Sequence, residues 1–508
     1  MKGIGAGLAI AAAPRVWAAD APANTPAAAP AGNSWPKPNI VLVMTDDQGY
    51  GDLACNGNKI IKTPNIDALH AISLRFTDFH VSPTCSPTRC SIMTGRHEFR
   101  SGVTHTISER ERMSLDAATM PKALKDAGYT TGIFGKWHLG DQEPYQPQNR
   151  GFEEVFIHGC GGIGQSYPGS CGDVPGNKYF DPTIRHNGTF VKTTGYCTDV
   201  FFTEALRWIK KVKDRPFFAY VPTNAPHGPL QCPEKYYKPY MDAGLAEGPA
   251  KFYGMITNID DNVGVLMKKL DEWELLNNTL VIFMTDNGSA MAGGNPGGGG
   301  KKAKGGTGAG GLFNAGMRGH KGTPYEGGTR VPAFFYWKHR TPEGVDCGAL
   351  AAHVDLFPTF AELTGAKLPE KVKLDGKSLV PLMKDPKAAW PDRYVFYHVG
   401  RWGKGKAADS KYSNCCIRSQ RFALVNNTEL YDIPADPGET TNVADKHPEA
   451  VAAMQKAYDQ WWSEVLPAMC NEDAPVPAEN PFKILYREQA ASPKGIPAWP
   501  VNPTKEEL

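Results

Sequence analysis

Residues 39–45 (NIVLVMT) and 279–285 (TLVIFMT) are unbroken apolar runs rich in Val, Ile and Leu. Runs of this length without polar alternation predict strands buried on both faces, as in a parallel sheet. Shorter runs at 129–134, 216–221 and 333–337 predict further strands. Between them, apolar positions recur at helical spacing. Met120, Ala123, Leu124 and Ala127 share one face of a helix predicted over 119–127, with Thr119 as its cap and Gly128 as its stop. Longer helices are predicted over 197–214 and 250–275. Strands and helices in alternation predict an α/β fold. From about residue 392 the pattern changes. Short strands at 394–399 and 422–425 surround a turn at 430–433, and a helix follows over 448–465, which predicts a small α+β unit. The Pro-rich tail beyond Pro475 predicts irregular chain.

With 508 residues, the expectation is one large domain and a smaller one. Hydrophobic residues at 41% and charged residues at 21% are ordinary for a soluble enzyme. Only the N-terminus departs from this. A basic start at Lys2, a small apolar run over 3–14 and the small residues near Ala18 and Ala19 predict a signal peptide over 1–19 and export to the periplasm or beyond. An Ala/Pro-rich linker follows over 20–38. No later stretch is apolar for long enough to span a membrane. Cleavage after Ala19 removes Lys2 and Arg15 and leaves 53 basic and 53 acidic residues. A neutral chain has no global attraction for polyanions, so nucleic acid is not an expected partner. There are 11 cysteines and no Cys-x-x-Cys pair, which disfavours structural zinc. An exported protein could pair some of these cysteines, with no connectivity implied.

Both long apolar runs close on Met-Thr-Asp and a second oxygen-bearing residue, giving Asp46-Asp47 and Asp286-Asn287. Alone, two aspartates after a strand are often turn caps. Brought side by side, the four supply only hard oxygen ligands, which suit Ca²⁺ or Mg²⁺ better than zinc. Asn287 also begins an Asn-x-Ser sequon, but a glycan could not occupy a metal site. Lys136 and His138, two apart on an extended segment, point to one side. His227 sits in a Pro-rich loop at a strand end. The Gly-rich stretch 292–311, with Lys301, Lys302 and Lys304, leaves from Asp286-Asn287 and returns before Lys321, which suggests a flap over an anionic substrate.

The string Cys85-Ser86-Pro87-Thr88-Arg89, closing on Thr94-Gly95-Arg96, resembles the signature of the sulfatases. Thr88 and Met93 stand where serine and leucine are more frequent in that family, and both keep the local chemistry. Physically, Pro87 suits the first position of a helix, which would put Cys85 just before a helix N-terminus that favours anions. The matching order of Gly135-Lys136-Trp137-His138, His227, Asp286-Asn287, Lys321 and the His353–Thr359 block extends the resemblance over about residues 38–465.

The resemblance implies an alkaline-phosphatase-like α/β sandwich, a large mixed sheet flanked by helices, over 39–390. A small C-terminal α+β subdomain follows over 391–480 and a Pro-rich tail over 481–508. It implies that Cys85 is converted to formylglycine by a formylglycine-generating enzyme. One hydroxyl of the hydrated aldehyde then attacks sulfur and forms a covalent sulfo-enzyme intermediate. Asp46, Asp47, Asp286, Asn287 and residue 85 hold one Ca²⁺, with Mg²⁺ an alternative. Arg89 holds the diol and Lys136 and Lys321 bind the sulfate. His227 protonates the departing alcohol, and His138 takes the proton that collapses the intermediate. The implied substrate is a sulfate ester on a glycan. Arg401, Trp402 and the loops around Gly161 and Lys301 are candidates for specificity by position, whereas packing is the expected role of His353. A phosphodiesterase or phosphonate monoester hydrolase of the same superfamily, and a non-catalytic glycan-binding relative with Cys85 unconverted, are the alternatives.

Overall fold

The computed structural model of the protein describes residues 35–292, 312–370 and 372–500. The two long apolar runs lie next to each other. Asn39–Thr45 pairs in parallel with Thr279–Thr285, in a register that sets Asn39 opposite Thr279 and Thr45 opposite Thr285. Every residue of both strands is buried. On the other flank of Asn39–Thr45 come Phe217–Pro222, Thr130–Lys136 and Glu154–His158, all parallel. Antiparallel strands extend the sheet, Ala333–Tyr336 beyond Thr279–Thr285, and Thr183–His186 with Thr189–Lys192 at the far side. The sheet has ten strands and is mixed.

Alternation along Asn39–Thr45 divides the interior in two. Ile40, Leu42 and Met44 pack with side chains of the helices Cys85–Thr94, Met120–Asp126 and Leu356–Thr364. Val41 and Val43 face the helices Cys197–Val212 and Glu247–Glu272. The period of two sends successive side chains to opposite cores, and each fully buried aliphatic side chain contributes about 1.5–3 kcal/mol. The helix predicted over 119–127 spans Met120–Asp126 with Thr119 at the N-cap position, where its hydroxyl donates to the Arg150 carbonyl (2.8 Å) and makes no capping bond.

A second, antiparallel sheet contains Val395–His398, Cys415–Arg418, Phe422–Val425 and Glu429–Asp432. The helix Pro448–Val465 covers one face of it. The turn expected at 430–433 is therefore a correction: Leu430 and Tyr431 belong to an edge strand and pack on opposite faces. A four-residue strand is too short for its alternation to register in sequence.

The tail is a second correction. Pro481–Ala491 is a helix, started by Asn480, whose side chain accepts from the Phe482 and Lys483 amides. Phe482 is buried against Phe190 of the large sheet. The Asn-Pro start is a recognisable helix signal that the Pro-rich composition masks. The expected signal peptide, the linker as far as residue 34, the Gly-rich segment with Lys301, Lys302 and Lys304, and residues 501–508 lie outside the described residues. Among the described residues no helix is long and apolar enough to cross a membrane. All 11 cysteines carry free thiols, with the Cys160 and Cys171 sulfurs 2.8 Å apart.

Candidate active site

Four neighbouring strands end at one edge of the large sheet, and each delivers predicted site residues there. Because Thr45 stands opposite Thr285, Asp46-Asp47 and Asp286-Asn287 leave the sheet together. The Asp286 amide donates to the Thr45 carbonyl (2.9 Å), and the Asp47 amide donates to Asp286 Oδ1 (3.2 Å). Phe217–Pro222 runs into the loop that carries His227, and Thr130–Lys136 ends on Lys136 with His138 two residues on. Carboxyl ends of adjacent parallel strands are where α/β enzymes place ligands. Gly135 permits the approach of the last two: a Cβ there would lie 2.0 Å from the Pro222 carbonyl oxygen.

Cys85 enters from below on its helix, all ten residues of which are buried. The helix begins on Cys85 itself, so the expectation of Pro87 at the first position is corrected. Pro87 stands third, still within the first turn, where its missing N–H is not needed. Arg89 lies one turn on, with Cys85 among the groups whose charge bears on it. Its Nε and Nη2 donate to Asp286 Oδ2 (3.2 and 2.7 Å) and its Nη1 to the Lys136 carbonyl (3.0 Å).

Three carboxylates and three cations thus share one site. Lys136 Nζ pairs with Asp46. Lys321 Nζ lies 2.6 and 2.7 Å from the Asp47 oxygens. Burial raises the Asp46 carboxyl, against the pull of Lys136, and pushes Asp286 up to about 6, with Asp46 adding repulsion. Burial would raise Asp47 as well, but Lys321, His227 and Asn287 hold it well below the usual carboxylate range. Asp46 Oδ1 and Asn287 Oδ1 are buried without a hydrogen-bond partner. Converging carboxylates with orphaned oxygens fit a hard divalent cation, and none of the four side chains offers nitrogen or sulfur to a softer metal. Asp46 and Asp47 have metal-ligand spacing together with His227, and a second such group is Asp78, His80 and Glu326. It already surrounds the Arg418 guanidinium, whose nitrogens lie 3.2 Å from each carboxylate.

The two histidines have defined tautomers. His138 Nε2 donates to the Thr106 carbonyl (2.8 Å), which leaves Nδ1 as a buried lone pair without a partner. Burial, with Lys136 nearby, holds this imidazole well below its ordinary pKa, so it is neutral. His227 Nδ1 donates to the Gly228 carbonyl (2.7 Å), and its Nε2 faces Asp47 Oδ2 at 3.8 Å. Burial lowers His227 to about 3, with Asp47 opposing. Asp47 and His138 both take left-handed backbone, at φ +68° and +60°. Such strain concentrates at functional sites.

A cavity of about 650 Å³ opens on Asp47, Cys85, His138, His227 and Lys321. Asp46, Arg89, Lys136, Asp286 and Asn287 lie beneath it, at most 1% exposed. Arg401 lines the cavity, as do residues around Gly161. Trp402 does not: it is buried against Phe99 and Trp462, a core residue. His353 is buried with Nε2 3.0 Å from Ser82 Oγ, a packing role as expected. Thr106, His105 and Cys171 escape sequence reasoning. Thr106 acts through its carbonyl, which any residue possesses, and Cys171 meets His138 (3.5 Å) only through the folded loop.

Residues 38–366 match the family described as Sulfatase, and residues 320–462 match the C-terminal family of N-sulphoglucosamine sulphohydrolase. Human arylsulfatase A is 33% identical over 469 residues, covering 82% of this chain and 86% of its own length. The dog N-acetylgalactosamine-6-sulfatase is 31% identical, over 72% of this chain and 69% of its own. Among solved structures, Ps i-CgsB in complex with k-i-k-neocarrahexaose superposes with a TM-score of 0.72 at 29% identity, covering 90% of this chain and 98% of that one.

Proposed function

Because the chain belongs to the sulfatase family and is a sulfuric ester hydrolase, we propose that it removes sulfate from carbohydrates, with Cys85 as the precursor of a formylglycine nucleophile. The substrate class follows the relatives, which include an N-acetylgalactosamine-6-sulfatase and a protein solved with k-i-k-neocarrahexaose. One observation carries the reading. Two strands 240 residues apart, paired in matching register, end side by side on Asp46-Asp47 and Asp286-Asn287, and Cys85 lines the same cavity as Asp47.

Asp46, Asp47, Asp286 and Asn287 would hold one Ca²⁺, or Mg²⁺, beside residue 85. The ion and the formylglycine supply, when present, charge neutralisation at sulfur and an acidic hydrated aldehyde as nucleophile. The chain's own groups do the rest. Lys321, on the cavity floor, and Lys136 beneath it oppose the charge that builds on the sulfuryl oxygens, the kind of electrostatic stabilisation that usually dominates. Each now neutralises a carboxylate that the cation would take over. Arg89 fixes Asp286 as a positioning residue. His138 Nδ1, an unprotonated lone pair held by Thr106, is the acceptor for a hydroxyl proton at residue 85. His227 Nε2 is the atom that hands a proton to the leaving alcohol. The anionic ester arriving beside it favours the protonated ring.

The N-terminal segment supports export. Maturation then requires a formylglycine-generating enzyme as partner.

The test is mass spectrometry of the peptide bearing residue 85, together with turnover of an aryl sulfate and an aryl phosphate diester. The expected outcome is conversion of Cys85, preference for the sulfate, and loss of turnover in Cys85→Ala. Full activity in Cys85→Ala removes the mechanism. Preference for the diester moves the protein to the phosphodiesterase branch. An unconverted, inactive protein that still binds sulfated glycans makes it a binding relative.

A further inference from the structure

The cavity extends past the sulfate end. Its outer wall is formed by residues 105–107 and Arg401 on one side, with the half-exposed ring of Tyr167 at the rim. Apart from Asp47, which Lys321 neutralises, no carboxylate lines it among the described residues. A pocket meant for a neutral sugar ring would be expected to offer acceptors for hydroxyl protons as well as donors. On this wall the one charged side chain is Arg401, with the Tyr167 hydroxyl and the Gln165 amide as neutral polar groups nearby.

Arg401 is held there deliberately by its backbone. Gly400 and Arg401 both take left-handed conformations, at φ +63° and +60°. A Cβ on Gly400 would lie 2.0 Å from the Thr104 carbonyl oxygen, and the Arg401 amide donates to that same oxygen (3.1 Å). A non-glycine residue in this region costs of order 1–3 kcal/mol, so the surroundings over-determine it. The guanidinium Nη2 donates to Thr106 Oγ1 (3.1 Å), and no ion pair involves Arg401 among the described residues. It is an exposed, uncompensated cation in the mouth of the site.

His105 completes the arrangement. Its Nδ1 accepts the amides of Thr106 (2.8 Å) and Ile107 (3.2 Å), so its proton resides on Nε2, which has no partner among the described residues. Burial, with Arg401 and Arg110 adding repulsion, pushes its pKa down to about 3. The ring is therefore a neutral donor, and the charge belongs to Arg401. Thr106 joins this wall to the reaction centre, because its carbonyl holds His138 and its hydroxyl holds Arg401.

We propose that Arg401 and His105 form a second anion subsite, which binds a carboxylate or a further sulfate on the saccharide while the scissile sulfate occupies the floor of the cavity. The substrate is then a polyanionic sulfated saccharide. This rests on the sulfate-ester reading above. Guanidinium and carboxylate or sulfate oxygens pair through two parallel charged hydrogen bonds, which gives orientation as well as affinity.

The test uses the converted full chain and measures inhibition of para-nitrophenyl sulfate turnover by matched sugars. One arm compares N-sulfated with N-acetylated glucosamine 6-sulfate. The other compares an unsaturated chondroitin 6-sulfate disaccharide with its uronate methyl ester. The expected result is at least tenfold tighter inhibition by the more anionic member in one arm, which also tells sulfate from carboxylate. Arg401→Gln brings that ratio close to one, and Arg401→Lys restores part of it. A purely structural role for Arg401 would change both members alike. A wild-type ratio near one in both arms, or a ratio that survives Arg401→Gln, overturns the subsite while leaving the sulfatase reading intact. Absence of any sulfate ester turnover by the converted protein removes the sulfatase reading instead.

Discussion

His138 and His227 show how one residue type is set to two tasks by what each ring nitrogen touches. A backbone carbonyl takes the proton of Nε2 in His138 and of Nδ1 in His227, so opposite nitrogens are left facing the site. If His227 protonates the leaving group, its importance depends on how badly that group needs a proton. His227→Ala is expected to cost about 10²–10⁴ in kcat on a sugar sulfate, whose alkoxide is a poor leaving group. On para-nitrophenyl sulfate the loss should be far smaller. Equal losses on both substrates would assign His227 to binding. Also at this scale, Glu111 is fully buried, with neither carboxyl oxygen hydrogen-bonded. Burial, with Glu109 adding repulsion, pushes it up to about 8 from 4.5. Between these values the folded protein holds a proton that the unfolded chain has released. Its contribution is complete below pH 4.5 and is lost as pH rises to about 8. Glu111→Gln should therefore flatten the fall of stability across that window, by on the order of 1 kcal/mol per pH unit. Denaturant melts of both proteins at pH 5 and 8 measure it, and parallel pH profiles would contradict it.

The paired strands Asn39–Thr45 and Thr279–Thr285 are the element on which the site depends. Their existence, their burial and the residues that end them were legible, because continuous β-branched runs and the Met-Thr-Asp endings are local features. Their adjacency in matching register was not, since no local pattern specifies pairing across 240 residues. The resemblance supplied that expectation. The outer wall was legible only as a position: Arg401 carries no motif, and its place follows from a left-handed turn against Thr104 that composition does not reveal. The helix at Pro481–Ala491 was missed because proline content outweighed a sound start signal. If these strands create the cation site, Ca²⁺ should stabilise the folded protein. At a hundredfold excess over its Kd the gain is about 2.7 kcal/mol. Asn287→Leu, which removes one buried oxygen, should abolish most of that increment. Calorimetric melts with Ca²⁺ and with chelator check this, and identical melts would remove the cation from the account.

At the scale of the molecule, the small sheet is joined to the large one through charge as well as apolar packing. Arg418 from Cys415–Arg418 reaches Asp78 and Glu326 of the large unit, and Arg393 reaches Asp355. Arg418 is 1% exposed, so its loss would leave two buried acids with only Arg330 and His80 as nearby cationic groups. Arg418→Met is expected to destabilise the protein by about 3–5 kcal/mol, as breaking buried pairs does. Chemical denaturation tests it, and a change below about 1 kcal/mol would mean that the junction tolerates separation. The union matters for function because Arg401, in the C-terminal part of the chain, closes one side of the cavity whose floor belongs to the large sheet. The central claim is nevertheless confined to the sheet edge. A crystal structure of the protein, produced with a formylglycine-generating enzyme and grown in Ca²⁺, tests it most directly. The predicted result is one calcium bound by Asp46, Asp47, Asp286, Asn287 and an oxygen at residue 85. Residue 85 remaining a thiol remote from any ion, or calcium bound elsewhere with these four side chains unligated, would contradict it.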